Sequence, residues 1–396
     1  MTRPTIFPRR RFLQLAGGAA GAFALGAPRL ALADAATERR FVFVIQRGAA
    51  DGLNTVIPYA DPAYASLRGG LAIDPGTALK LDGTFALHPA LVETARLHGA
   101  GQALFVQAVA SPYRDRSHFD GQNVLETGGT TPYQVRDGWL NRLLTLLPRR
   151  RDEAIALAPT VPMALRGPVE VASYAPSVLP QASDDLLLRV EQLYASDAQL
   201  HALWSSAMQT REVAGMAADG GAGRGRQDSA ALGRLAAEFL ARPDGPRIAM
   251  VETGGWDTHT AQLPRMNAQL KALDALVAAL RDGLGPQAWS QTTVLVATEF
   301  GRTAAANGTG GTDHGTGSAA MLLGGAVQGG RVLADWPGLA GNALYEGRDL
   351  RPTTGLDTLV AQAAGECFGI EPGKVARVLF PQVPAGGKAL PRLLRA

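Results

Sequence analysis

Three of the six histidines in this 396-residue chain stand within two positions of a carboxylate: His118 with Asp120, His259 with Asp257, and His314 with Asp313. Imidazole nitrogen beside carboxylate oxygen is a donor set for zinc-like and mixed divalent cations. The expected cofactor is therefore zinc, manganese or calcium, as one ion or two. Asp51 and Glu299, each just after an apolar run, extend the candidate ligands to Asp51, Asp257, His259, Glu299, Asp313 and His314. Ser117 and His118 open a helical pattern just after an apolar run, which makes both candidates for chemistry. The imidazole of His118 belongs to the same donor set for a divalent cation. Arg302 is the third candidate catalytic group, able to grip a tetrahedral anion through its forked guanidinium. No compact motif carries these residues on one element, so they must converge from separate loops.

The elements that would bring them together are legible as periodic runs. Residues 41–45, 103–110, 153–159, 247–253 and 292–301 are short apolar segments rich in β-branched and aromatic side chains. Helical patterns separate them, and the one over residues 263–283 ends on a glycine stop at Gly283. This alternation predicts an α/β fold, a mostly parallel central sheet with helices on both faces. Residues 34–396 read as one domain, interrupted at about 160–228 by a Pro-rich irregular stretch, a helical stretch and a Gly-rich loop. Ligands of such sheets bind beyond the carboxyl ends of the strands, which is where most of the candidates fall. Blander roles compete. Asp51 and Asp257 fit a helix cap or turn, His88 and His98 fit helix ends, and Cys367 and most tryptophans fit the core. Trp256, next to Asp257, is the tryptophan expected to line a site.

With 46% hydrophobic residues the chain can bury a large core. Its single cysteine excludes an intrachain disulfide. The formal charge of +3 resides in residues 1–33, which hold five arginines and no acid, so the remainder carries −2. Paired Arg9 and Arg10, then Phe12, Leu13 and a short Ala/Gly/Leu stretch ending near Ala31–Ala33, read as a twin-arginine export signal. The expected location is periplasmic or secreted, with the twin-arginine (Tat) translocase as a transient partner. The apolar stretch is too short for a stable span in the mature protein. No basic patch with interleaved aromatics supports nucleic-acid binding.

The segments RGAADGLN, SHFDGQNVLETG, GGWDTH, TEFGRT and TDHGTGSAAMLLGG occur in that order behind the paired arginines. Together they resemble the exported bacterial family catalogued as domain of unknown function 1501, which is grouped with the alkaline phosphatase-like superfamily, sulfatases included. The resemblance implies metal ligation by Asp51, by Asp257 with His259, and by His314, where small residues would let the backbone approach the ion. It also departs from the superfamily. Glu299-Phe300 stands where an Asp-His pair is usual, the Asp257-to-His259 gap is short, and the nucleophile position falls on His118 with Ser117 beside it. The implied activity is metal-dependent hydrolysis of a phosphate or sulfate ester, in a small molecule or a polymer. The alternative is a non-catalytic exported binding or assembly protein with at most a structural ion.

Overall fold

The computed structural model describes residues 38–148, 154–175, 184–218, 228–384 and 389–395. The export-signal reading of residues 1–33 lies outside them. Among the described residues the main sheet has nine strands: β1 Arg40–Gln46, β2 Ala103–Ala110, β3 Ala154–Leu157, β4 Ala172–Ser173, β5 Ile248–Thr253, β6 Thr292–Ala297, β7 Ser318–Leu323, β8 Arg331–Leu333 and β9 Thr354–Gly355. Their order is β8-β2-β7-β6-β1-β5-β3-β4, with β9 also pairing β2. Every pairing is parallel except the two made by β7. A mostly parallel sheet is what the alternation of runs predicts.

β1 reads as an unbroken apolar run because both of its faces are covered. Phe41, Phe43 and Ile45 enter one core, where the Trp139 ring meets Phe43 edge-on at 5.1 Å. Val42 and Val44 enter the other core, with Leu273, Leu276, Val277 and Leu280 of the helix Gln262–Ser290. Period-two alternation along one strand thus builds two cores. That helix runs through Gly283, the stop expected from sequence, and breaks at Gly285, whose φ is 67°. Gly283 has a packing role instead, since a Cβ there would lie 2.6 Å from the Cβ of Ala237 in the neighbouring helix. Around the irregular stretch, the described residues include helices Asp184–Tyr194 and Ala198–Ala218. A small sheet of Val56–Ile57, Leu79–Lys80 and Ala86–Leu87 has no counterpart in the sequence reading. Among the described residues no helix is long and apolar enough to cross a membrane.

Register sets up the site. Gln46 pairs with Thr253, and Ile45 with both Glu252 and Ala297, so β1, β5 and β6 end level with one another. The loops carrying Gly48, Asp257 and Glu299 therefore emerge side by side. Because β7 runs against its neighbours, the residues that precede it also lie at this edge. That is how His314, before its strand in sequence, meets residues that follow theirs.

Candidate metal centre

His118 is the first residue of the helix His118–Thr127, and Ser117 is its N-cap residue. The Nδ1 of His118 lies 2.9 Å from Glu299 Oε1. Glu299 is fully buried and also accepts from the Gly48 N–H at 2.8 Å, Gln122 Nε2 at 3.2 Å and Thr298 Oγ1 at 2.9 Å. Burial pushes the Glu299 carboxyl up, but the bonds from His118, Gln122 and the backbone outweigh it and hold the group below its ordinary range. The same bond to Glu299, against an opposing contribution from burial, raises the His118 imidazole.

The other two rings are held in the same manner. His314 Nδ1 is 2.8 Å from the carbonyl of Arg116, and His259 Nδ1 is 3.1 Å from Asp313 Oδ1. A carbonyl and a carboxylate only accept, so each of these Nδ1 atoms carries the hydrogen and the neutral ring has its lone pair on Nε2. All three Nε2 atoms converge on one oxygen. Asp257 Oδ1 lies 3.5 Å from His118 Nε2, 3.1 Å from His259 Nε2 and 3.4 Å from His314 Nε2. His259 Nε2 and His314 Nε2 are 2.9 Å apart. The Nε2 of His118 is buried with no hydrogen-bond partner. Donor atoms of His118, Asp257 and His314 lie within 4.8 Å of one another, and His259, more exposed, lies against Asp257 and His314.

Asp257 is kept ionised despite partial burial, which raises its carboxyl. The bond and charge of Arg302, 2.5 Å away, prevail and bring it down to about 2. Burial, followed by the charge of His118, lowers the His314 imidazole.

The structure places several candidates elsewhere. Asp51 does not join the cluster. It is buried, caps the short helix Gly52–Thr55 through Leu53 N and Asn54 N, and pairs with both terminal nitrogens of Arg68 at 2.7 Å. Gln262 donates to Asp51 Oδ2 at 2.5 Å, and its own oxygen accepts from Thr258 Oγ1 at 3.0 Å and Thr312 Oγ1 at 2.6 Å. Asp51 thus anchors, through Gln262, the loops that carry His259 and His314. Asp313 and Glu299 sit behind imidazoles rather than among the converging donors. Arg302 is only 1% exposed and donates to the carbonyls of Ala49, Thr312, Gly48 and Trp256 as well as to Asp257. These five acceptors surround the buried guanidinium, which sets it behind Asp257. Ser117 gives its N–H to the Tyr113 hydroxyl at 3.1 Å. Phe300, in the place of the expected imidazole, stacks on His118 with ring centroids 5.1 Å apart. Trp256 is buried beneath the loop, its Nε1 on Thr253.

The small residues before β7 also act differently from expectation. A Cβ on Gly311 would stand 2.2 Å from the His259 carbonyl oxygen, so this glycine lets two loops touch. Gln262, Arg68 and Arg116 are absent from the sequence reading, since Arg116 contributes a backbone carbonyl and the other two act through Asp51.

The sequence profile of the family described as "Protein of unknown function (DUF1501)" matches residues 38–379. No curated protein matches the chain. Among solved structures, a putative sulfatase from Bacteroides thetaiotaomicron is 9% identical, with 89% of this chain and 76% of that chain covered and a TM-score of 0.40. A structure described as a 2-O GAG sulfatase is 10% identical, with 88% and 76% covered and a TM-score of 0.34. The phosphonate monoester hydrolase of Agrobacterium radiobacter is 11% identical, with 88% and 79% covered and a TM-score of 0.33.

Proposed function

We propose, on the premise that the chain belongs to the DUF1501 family, that it is an exported, alkaline phosphatase-like hydrolase of phosphate or sulfate esters working with one zinc ion. The observation that carries this reading is the convergence of three Nε2 lone pairs on Asp257 Oδ1, each ring pinned from behind through Nδ1. Two imidazole Nε2 atoms 2.9 Å apart either share a proton or hold a metal cation between them. Four donors arranged tetrahedrally around zinc, at about 2.0–2.1 Å each, stand roughly 3.3 Å from one another. Four of the six separations among these donors, at 2.9–3.5 Å, match that spacing.

In this reading His118, His259, His314 and Asp257 hold the ion. Zinc so held supplies Lewis acidity toward an ester oxygen and acidifies water. Glu299, Asp313 and the Arg116 carbonyl fix the rings, in the way that partners behind metal-bound histidines set tautomer and basicity. Arg302 neutralises Asp257 and holds it in place. His118 becomes a ligand and not a nucleophile, which leaves Ser117, the N-cap residue beside it, as the candidate nucleophile. Export rests on the paired arginines Arg9 and Arg10.

A second reading draws on the number of protein donors. Four of them close a zinc sphere in the manner of structural sites, whereas catalytic sites usually keep one position open. Against closure, the side chains of His259 and Asp257 are 40% and 46% exposed, which gives the cluster an open side. The test is a panel of phosphate, phosphonate and sulfate esters, offered to zinc-loaded protein, chelator-treated protein and the His314→Ala variant. Turnover restricted to the zinc-loaded wild type supports the hydrolase. Zinc binding without turnover, with a thermal melt that rises on loading, supports the structural ion.

A further inference from the structure

Arg116 is one of six described non-glycine residues with positive φ, at 61°, and it lies directly before the helix that presents His118. Its backbone carbonyl is the acceptor for His314 Nδ1. An L-residue adopts this left-handed conformation against a steric penalty, and it persists only where surroundings enforce it. The enforcing contacts here are side-chain contacts. The guanidinium of Arg116 reaches Asp349 Oδ2 through Nε at 2.9 Å and Nη2 at 2.8 Å, and Glu346 Oε2 through Nη2 at 2.5 Å. Asp349 is fully buried and also accepts from Thr316 Oγ1 at 2.7 Å and Arg348 Nη1 at 3.1 Å. Glu346 is itself left-handed, with φ 53°, so the ion pair joins two strained backbones. Arg348 closes the ring of contacts by donating to the His314 carbonyl at 2.8 Å.

We infer that Arg116 is a positioning residue for the metal centre. Its side chain, clamped on Asp349 and Glu346, holds its own backbone left-handed, so that its carbonyl fixes His314 in the Nδ1–H tautomer with Nε2 turned to the ion. This rests on the metal reading above, but the tautomer belongs to the metal-free chain as well. Arginine is required by this arrangement for its fork, because two carboxylates are gripped at once. Alanine loses the clamp and keeps the left-handed penalty. Glycine loses the clamp and is relieved of the penalty.

The experiment compares wild type, Arg116→Ala and Arg116→Gly in two measurements. One is zinc affinity by competition with a chromophoric chelator. The other is the nitrogen-15 NMR pattern of the His314 ring in metal-free protein, assigned with His314→Ala. Thermal melts report whether each variant folds. The expectation is a 10- to 100-fold loss of zinc affinity in Arg116→Ala with mixed His314 tautomers, and recovery of at least half of that loss, on a logarithmic scale, in Arg116→Gly. Wild-type affinity within twofold and an unchanged His314 pattern in folded Arg116→Ala would overturn the inference. So would equal losses in the alanine and glycine variants. If wild type binds no zinc the metal reading fails, and the ring pattern in the two variants still decides whether Arg116 sets His314.

Discussion

Asp51 and Asp257 are both aspartates in loops that leave the carboxyl end of a central strand, and their surroundings give them opposite work. Asp51 is buried under Arg68, Gln262 and two helix N–H groups, so its oxygens face donors only. Asp257 is half exposed, and three imidazole nitrogens converge on the oxygen that Arg302 also touches. A carboxylate saturated by donors is an anchor. In the proposed reading, a carboxylate among imidazole nitrogens is placed to share a cation with them.

The comparison can be broken at either end. The largest expected effect is on stability at Asp51. Removing one partner of a buried ion pair strands the other, so Asp51→Ala is expected to cost about 3–5 kcal/mol in urea unfolding of the metal-free protein. Asp257→Asn under the same conditions is expected to cost about 1 kcal/mol or less, since its carboxylate is half exposed. Equal losses would erase the distinction.

The dry surroundings of Asp51 also govern His88. Burial lowers the His88 imidazole to about 4, and its Nδ1 accepts from the Ala90 N–H at 3.1 Å. The folded value lies below the ordinary value of about 6.5, so protons favour the unfolded chain. Its contribution to stability is complete above pH 6.5 and declines as the pH falls toward 4, by at most about 3 kcal/mol. His88→Asn is expected to flatten this acid limb, and an unchanged limb would contradict the assignment.

Smaller effects sharpen the other end. Glu299→Gln leaves an acceptor behind His118 but removes its charge, and a 10- to 100-fold loss of zinc affinity is expected. A loss smaller than twofold would detach Glu299 from the centre. Phe119 lies next to His118 but is 82% exposed, so Phe119→Ala is expected to move stability by no more than about 0.5 kcal/mol.

The strands were legible because a parallel strand buried on both faces is apolar along its whole length, as in Phe41–Ile45. His118, His259 and His314 were legible because imidazoles near carboxylates in polar loops have few bland uses. The role of Asp51 was hidden, since a cap and a ligand look alike in sequence. Arg68, 17 residues on, and Gln262, 211 residues on, carry no local sign that they will meet it. The burial of Arg302 was hidden for a similar reason, as four of its five bonds go to backbone carbonyls, which every residue has. The clamp at Arg116 works through a carbonyl and a backbone angle, and neither is written in a side-chain pattern.

The most direct test is zinc K-edge X-ray absorption on the zinc-loaded chain, with elemental analysis for stoichiometry. The account expects one equivalent of zinc with three imidazoles and one oxygen donor at about 2.0–2.1 Å, one imidazole being lost in His314→Ala and the full shell kept in folded Asp51→Asn. No stoichiometric zinc, fewer than three imidazoles in the wild type, or a shell altered by Asp51→Asn and untouched by His314→Ala would contradict it.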